Sequence, residues 1–226
     1  MSRALVAAWL GAFFAFAAVA HGNFESTDAA FTMHAARGLW QRGDSGLRTA
    51  AQGGELLGEQ LGAADIAEFH SREQQGLGAR RNGKLGANGL AYVWFPMGHV
   101  FLMTPFAALG DALARAFPDA DARFRERTAP FVPSYVEGTP VLTQSLIALV
   151  LPPMCMATSL LLLWGIAREL GASGRDAVWA ALAIGFATQA FALGREQLSD
   201  GPGLALLLAA LLPVVRLWRG RGGGAT

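Results

Sequence analysis

Two carboxylates, Glu25 and Asp28, stand in the run Asn23-Phe24-Glu25-Ser26-Thr27-Asp28-Ala29-Ala30. Ser26 or Thr27 can cap a helix here, and Asp28 then falls in its first turn, where the helix dipole favours an anion. Phe31, Ala35 and Leu39 share a face at helical spacing, and Gly38 or Gly43 supplies a stop. The pattern predicts a short helix on the outer surface, just past an uncharged block at residues 4–20. A carboxylate held at a lipid boundary is suited to work as a general base or a metal ligand. Equally, Asp28 can do no more than stabilise the N-terminus of its own helix.

Other residues with chemical potential give less. His21, His34, His70 and His99 follow no zinc-ligand spacing, so no metal site is assigned. Asn82-Gly83-Lys84-Leu85-Gly86-Ala87-Asn88-Gly89 is basic and Gly-rich, but no apolar strand precedes it; it reads as a surface loop and not a phosphate-cradling one. Cys155 is the single cysteine, so no disulfide can form within the chain. A net charge of +1 gives no electrostatic basis for a nucleic-acid partner.

The elements that would position these residues are apolar. Charged residues make up 15% of the chain, against about 25% in ordinary soluble domains. Residues 4–20, 138–167, 177–194 and 201–215 carry no charge. A bilayer crossing takes about 20 apolar residues, so the expected fold is an all-α integral membrane protein with about four transmembrane helices, and the lipid bilayer is its first partner. Residues 1–20 form the first helix, although Arg3, the apolar run and Ala18-Val19-Ala20 also suit a cleavable secretory signal. Residues 21–137 form a long external loop with interfacial or re-entrant helices. Residues 138–218 form a three-helix bundle, with a kink expected at Pro152-Pro153, and 219–226 form a tail.

In the four-span scheme Arg3, Arg168, Arg175, Arg216, Arg219 and Arg221 share one side, and Arg195 alone among short-segment arginines lies opposite. The positive-inside rule then puts both termini in the cytoplasm. Residues 90–110 could also span, but Pro96, Gly98, Pro105 and Gly110 divide them, so they are expected to dip into the membrane without crossing. Residues 111–137 mix both charges with Pro118, Pro130 and Pro133 and read as a solvated connector.

The order of these features resembles the amino-terminal part of the C-type glycosyltransferases, membrane enzymes that use polyprenyl-phosphate sugars and include the protein O-mannosyltransferases and the aminoarabinose transferase of lipid A. Four pieces carry the likeness. A first span is followed by a helix that opens with an acid, Thr27-Asp28-Ala29-Ala30. An aromatic-Pro-x-Gly segment, Trp94-Phe95-Pro96-Met97-Gly98, leads to Thr104-Pro105. A span ends in the basic turn Ala167-Arg168-Glu169-Leu170-Gly171. A later span holds Thr188 and leads to Ser199-Asp200-Gly201-Pro202.

The resemblance implies that Asp28 deprotonates an acceptor hydroxyl, which attacks the anomeric carbon as the lipid phosphate leaves. Glu25 would compensate for a second acid that many relatives carry where this chain has Ala29. Arg37, Arg72, Arg80, Arg81 and Lys84 would stabilise the donor phosphate, and Asp200 would stand at the edge of the site. The resemblance leaves room for a divalent cation and places the protein in a bacterial inner membrane. Enzymes of that family continue through further spans, so the chain reads as a fragment, a truncated paralogue or half of a split system needing a partner membrane chain. A second class of function is a non-catalytic membrane subunit. Transporter and channel functions are disfavoured, because the main uncharged blocks hold no acid or base to mark a path.

Overall fold

The computed structural model describes residues 3–20, 22, 27–48, 84–85, 90–93, 97–128, 139–188, 190–194 and 200–222. The described residues are almost entirely helical. Their elements are α1 (Arg3–Ala17), α2 (Thr27–Arg42), β1 (Lys84–Leu85), β2 (Ala91–Tyr92), α3 (Met97–Ala116), α4 (Pro118–Thr128), α5 (Val141–Glu169), α6 (Gly174–Ala187), α7 (Ala190–Leu193) and α8 (Asp200–Gly222). The two strands form a short antiparallel ladder with Lys84 opposite Tyr92. Among the described residues three helices are long and apolar enough to cross a membrane: α3, α5 and α8. The chain divides into two compact units, one of residues 1–21 and 148–226, the other of residues 22–147.

The count of three differs from the expected four, and the differences have local causes. The 15 residues of α1 rise only about 22 Å, short of a hydrocarbon core of about 30 Å. The expected span at 177–194 is interrupted: α6 stops at Ala187 and Thr188 is extended. There the Thr188 hydroxyl donates to Ile184 O and accepts from Ala190 N–H, which ends one helix and starts the next. By contrast, α5 runs unbroken through Pro152 and Pro153.

The segment expected to break at Pro105 is instead a single helix, α3, which also contains Gly98 and Gly110. Its buried face is His99, Val100, Met103, Ala107, Gly110 and Asp111, a helical repeat that gains more from packing than one proline removes. Pro105 sits on the exposed side. The Thr104 hydroxyl donates to Val100 O at 2.8 Å beside it. Gly110 is needed where it is, because a Cβ there would run into the Thr143 backbone on α5.

In the unit of residues 22–147, α2 is not a surface helix. Residues 29–38 are all buried, and α2 packs chiefly on α3. Gly43 ends it, with φ 78° and its N–H donating to Leu39 O at 3.1 Å, a left-handed C-terminal cap. Gly38 lies inside the helix, where a Cβ would crowd Asp44 O. The stretch expected to be a connector holds the helix α4, whose Asp121 is buried.

In the other unit, Phe16, Met156 and Leu160 form the core, with Ala12, Phe191 and Leu204 packed around it. Phe16 stacks on Phe186 with centroids 4.9 Å apart. Trp9 Nε1 donates to Thr158 Oγ1 at 3.1 Å. Ala4, Ala8 and Ala12 border a groove shared with α5 and α6, small residues of the kind that let membrane helices approach closely.

Candidate functional site

The polar centre of the residue 22–147 unit is Asp111, on the buried face of α3 and only 5% exposed. Arg37 Nε on α2 donates to both its oxygens, at 3.0 and 3.1 Å. Gln41, one turn further along α2, donates Nε2 to Oδ2 at 2.8 Å. Thr143, in the first turn of α5, donates its hydroxyl to Oδ1 at 2.7 Å. Four hydrogen bonds from three side chains on two helices fill both oxygens, so Asp111 has no remaining site from which to accept a substrate proton. It pins α2 and α5 to α3.

Arg37 is equally buried. Its desolvation pulls the guanidinium below its ordinary pKa, and the Asp111 carboxylate acts against that shift. The charge that the sequence assigned to a donor phosphate is thus already matched by a carboxylate. Arg37 faces inward because it lies at helical spacing from Met33 and Gln41, on a helix surrounded by packing atoms.

A second carboxylate completes the frame. Asp121 Oδ1 accepts the Leu142 N–H at 2.9 Å, and Oδ2 accepts from Arg125 at 3.2 Å. Leu142 is in the first turn of α5, so Asp121 caps a neighbouring helix: it satisfies an otherwise orphaned N–H and places negative charge at the positive end of the dipole. Between α2, α3 and α4 lies an open cleft of about 490 Å³, bordered by Arg37, Trp40, Asp111, Arg115, Asp121 and Glu126.

Of the residues singled out from the sequence, Asp28 lies in the first turn of α2, and Lys84 is in β1. Glu25, Arg72, Arg80 and Arg81 lie outside the described residues. Asp200 is the exposed first residue of α8 and belongs to the other unit. Arg37 is therefore the one assigned residue whose side-chain partner is defined. Among the described residues no group of three His, Cys, Asp or Glu side chains could hold a metal.

Sequence reasoning missed Asp111 by one residue, because the apolar segment was closed at Gly110. The signal was present: Asp111 is the first charge after more than 20 uncharged positions, and an acid continuing an apolar helix calls for a buried partner. Asp111 lies outside the four uncharged blocks to which the expectation of no acid or base applied. Saturated as it is, it marks no ion path. Compared with known proteins, the chain matches no family model, no curated protein and no solved structure.

Proposed function

We propose that the chain is a membrane-embedded sugar transferase, or a part of one, in which Asp28 is the general base toward an acceptor hydroxyl and a polyprenyl-phosphate sugar is the donor. Such a reaction forms the bond from acceptor oxygen to the anomeric carbon, breaks the bond from that carbon to phosphate oxygen, and passes the hydroxyl proton to the carboxylate. The observation that carries the reading is the clamp on α2. A helix that opens at Thr27-Asp28 is locked to a long apolar helix by Arg37, Asp111 and Thr143, a rigid mount for a carboxylate near its end. The three long apolar helices support a location in a membrane, and a bacterial inner membrane suits the donor.

The test is transfer of labelled sugar from a polyprenyl-phosphate donor, in membranes holding the chain and any further helices it requires. Asp28→Asn keeps the side chain's size and removes the base, so transfer should fall by about 10²-fold or more with membrane insertion unchanged. Full activity in that variant would remove the assignment.

A second reading, a non-catalytic membrane subunit, is favoured by the outward apolar faces of α6 and α8. Val178, Trp179, Leu206, Leu207, Val214 and Leu217 are all exposed and would lie against lipid or a partner chain. An Asp28→Asn variant that transfers sugar normally would leave this reading in place.

A further inference from the structure

We propose that the turn between α5 and α6 binds the phosphate of an anionic phospholipid headgroup. The turn is a tight C-terminal cap. Gly171 N–H donates to Arg168 O at 3.1 Å and Ala172 N–H to Ala167 O at 3.0 Å, with Gly171 at φ 98°, the paired bonds of a Schellman motif. Arginines from three helices gather around it. Arg168 Nη1 donates to Ala172 O at 2.8 Å. Arg216 Nε donates to Glu169 Oε1 at 2.8 Å. Arg219 Nη2 lies 3.1 Å from where a Cβ on Gly171 would stand. Arg175 is exposed in the first turn of α6.

Charge sets the class of ligand. The turn is served by the four arginines 168, 175, 216 and 219 and by two acids, Glu169 and Asp176, which leaves an excess of two positive charges. Asp176 accepts from the Ser173 hydroxyl at 2.7 Å and is engaged in the α6 cap. A guanidinium has five N–H donors, and those held here by one bond keep others for phosphate oxygens. Apolar surface sets the source. Trp179 lies one helical turn beyond Arg175 and is 61% exposed; Trp218, next to Arg219, is 68% exposed; Leu170 and Leu217 are exposed beside them. Tryptophan and arginine together at the ends of apolar helices mark a bilayer interface, whereas a soluble phosphate has no use for exposed indoles.

The inference rests on the membrane reading above but not on sugar transfer. The protein is extracted in mild detergent and given equal amounts of phosphatidylglycerol and phosphatidylcholine, and retained lipids are counted by native mass spectrometry. Phosphatidylglycerol should be retained preferentially. R175Q should reduce that preference roughly fivefold, the scale of one basic residue at an anionic surface, and R168Q/R175Q/R219Q should abolish it. Because Arg168 also supports the turn, R175Q is the decisive variant. R123Q/R127Q on α4 should change nothing. Equal retention of the two lipids, an equal loss in the α4 pair, or displacement of the lipid by millimolar inorganic phosphate would overturn the proposal. A chain missing from the membrane fraction would instead overturn the membrane reading.

Discussion

Asp111 and Arg37 set the residue scale. Each is nearly sealed from solvent, and each balances the other's charge. Asp111→Asn should leave a buried guanidinium without its counter-charge and lower stability by about 3–5 kcal/mol, read as thermal unfolding of the detergent-extracted protein. Arg37→Met combined with Asp111→Leu should recover most of that loss, since an apolar pair can replace a buried ion pair. If the double variant is no better than the single, hydrogen bonding from Gln41 and Thr143 dominates over charge. Asp28→Asn should move stability by no more than about 0.3–1 kcal/mol, the worth of a charge near a helix N-terminus. The sequence alone shows the type of Arg37 but not its partner, because Asp111 stands 74 residues away and no local period links them.

At the scale of elements, α4 decides where α5 begins. Asp121→Ala should remove the cap on the Leu142 N–H and cost about 1 kcal/mol; Asp121→Asn, which keeps an accepting oxygen, should cost less. Both are measurable by thermal unfolding. The helical character of α1, α2, α5 and α8 was legible from uncharged runs and helical spacing, as was a stop at Gly38 or Gly43, of which the chain uses Gly43. The unbroken α3 was not. Proline and glycine punctuation argued for pieces, while the gain that overrides it lies in the packing of Val100, Met103, Ala107 and Gly110, which only neighbouring helices supply. The interruption at Thr188 was hidden too, since the run around it is uncharged throughout and the break is made by one hydroxyl bonding in two directions.

At the scale of the molecule, α3 changes the membrane arithmetic. Its 20 residues rise about 30 Å, enough to cross. Counting that crossing sends every later segment to the opposite face from the four-span scheme. With α1 and residues 177–194 also counted, as in the four-span scheme, short-segment arginines then stand six against five: Arg3, Arg115, Arg123, Arg125, Arg127 and Arg195 against Arg168, Arg175, Arg216, Arg219 and Arg221. On that count the bias that fixed an orientation all but vanishes, and the two termini would fall on opposite faces. Impermeant thiol labelling in intact cells, in a Cys155→Ser background, should therefore mark only one of Ser2→Cys and Ala225→Cys. Labelling of both or neither would restore an even number of crossings. Long apolar helices were legible from composition; the number able to cross was not, because one helix of borderline length sets the parity.

The Asp111 clamp also has an order in time. Arg37 and Gln41 precede Asp111 by 74 and 70 residues, and Thr143 follows it by 32. During synthesis the guanidinium leaves the ribosome before the carboxylate it will neutralise. A nascent α3 entering lipid would do so with its counter-charge already made, and in a cell-free insertion assay α3 should integrate better behind residues 27–48 than without them. Translation order would then let α2 serve as an escort built into the same polypeptide, with the α5 hydroxyl closing the clamp last.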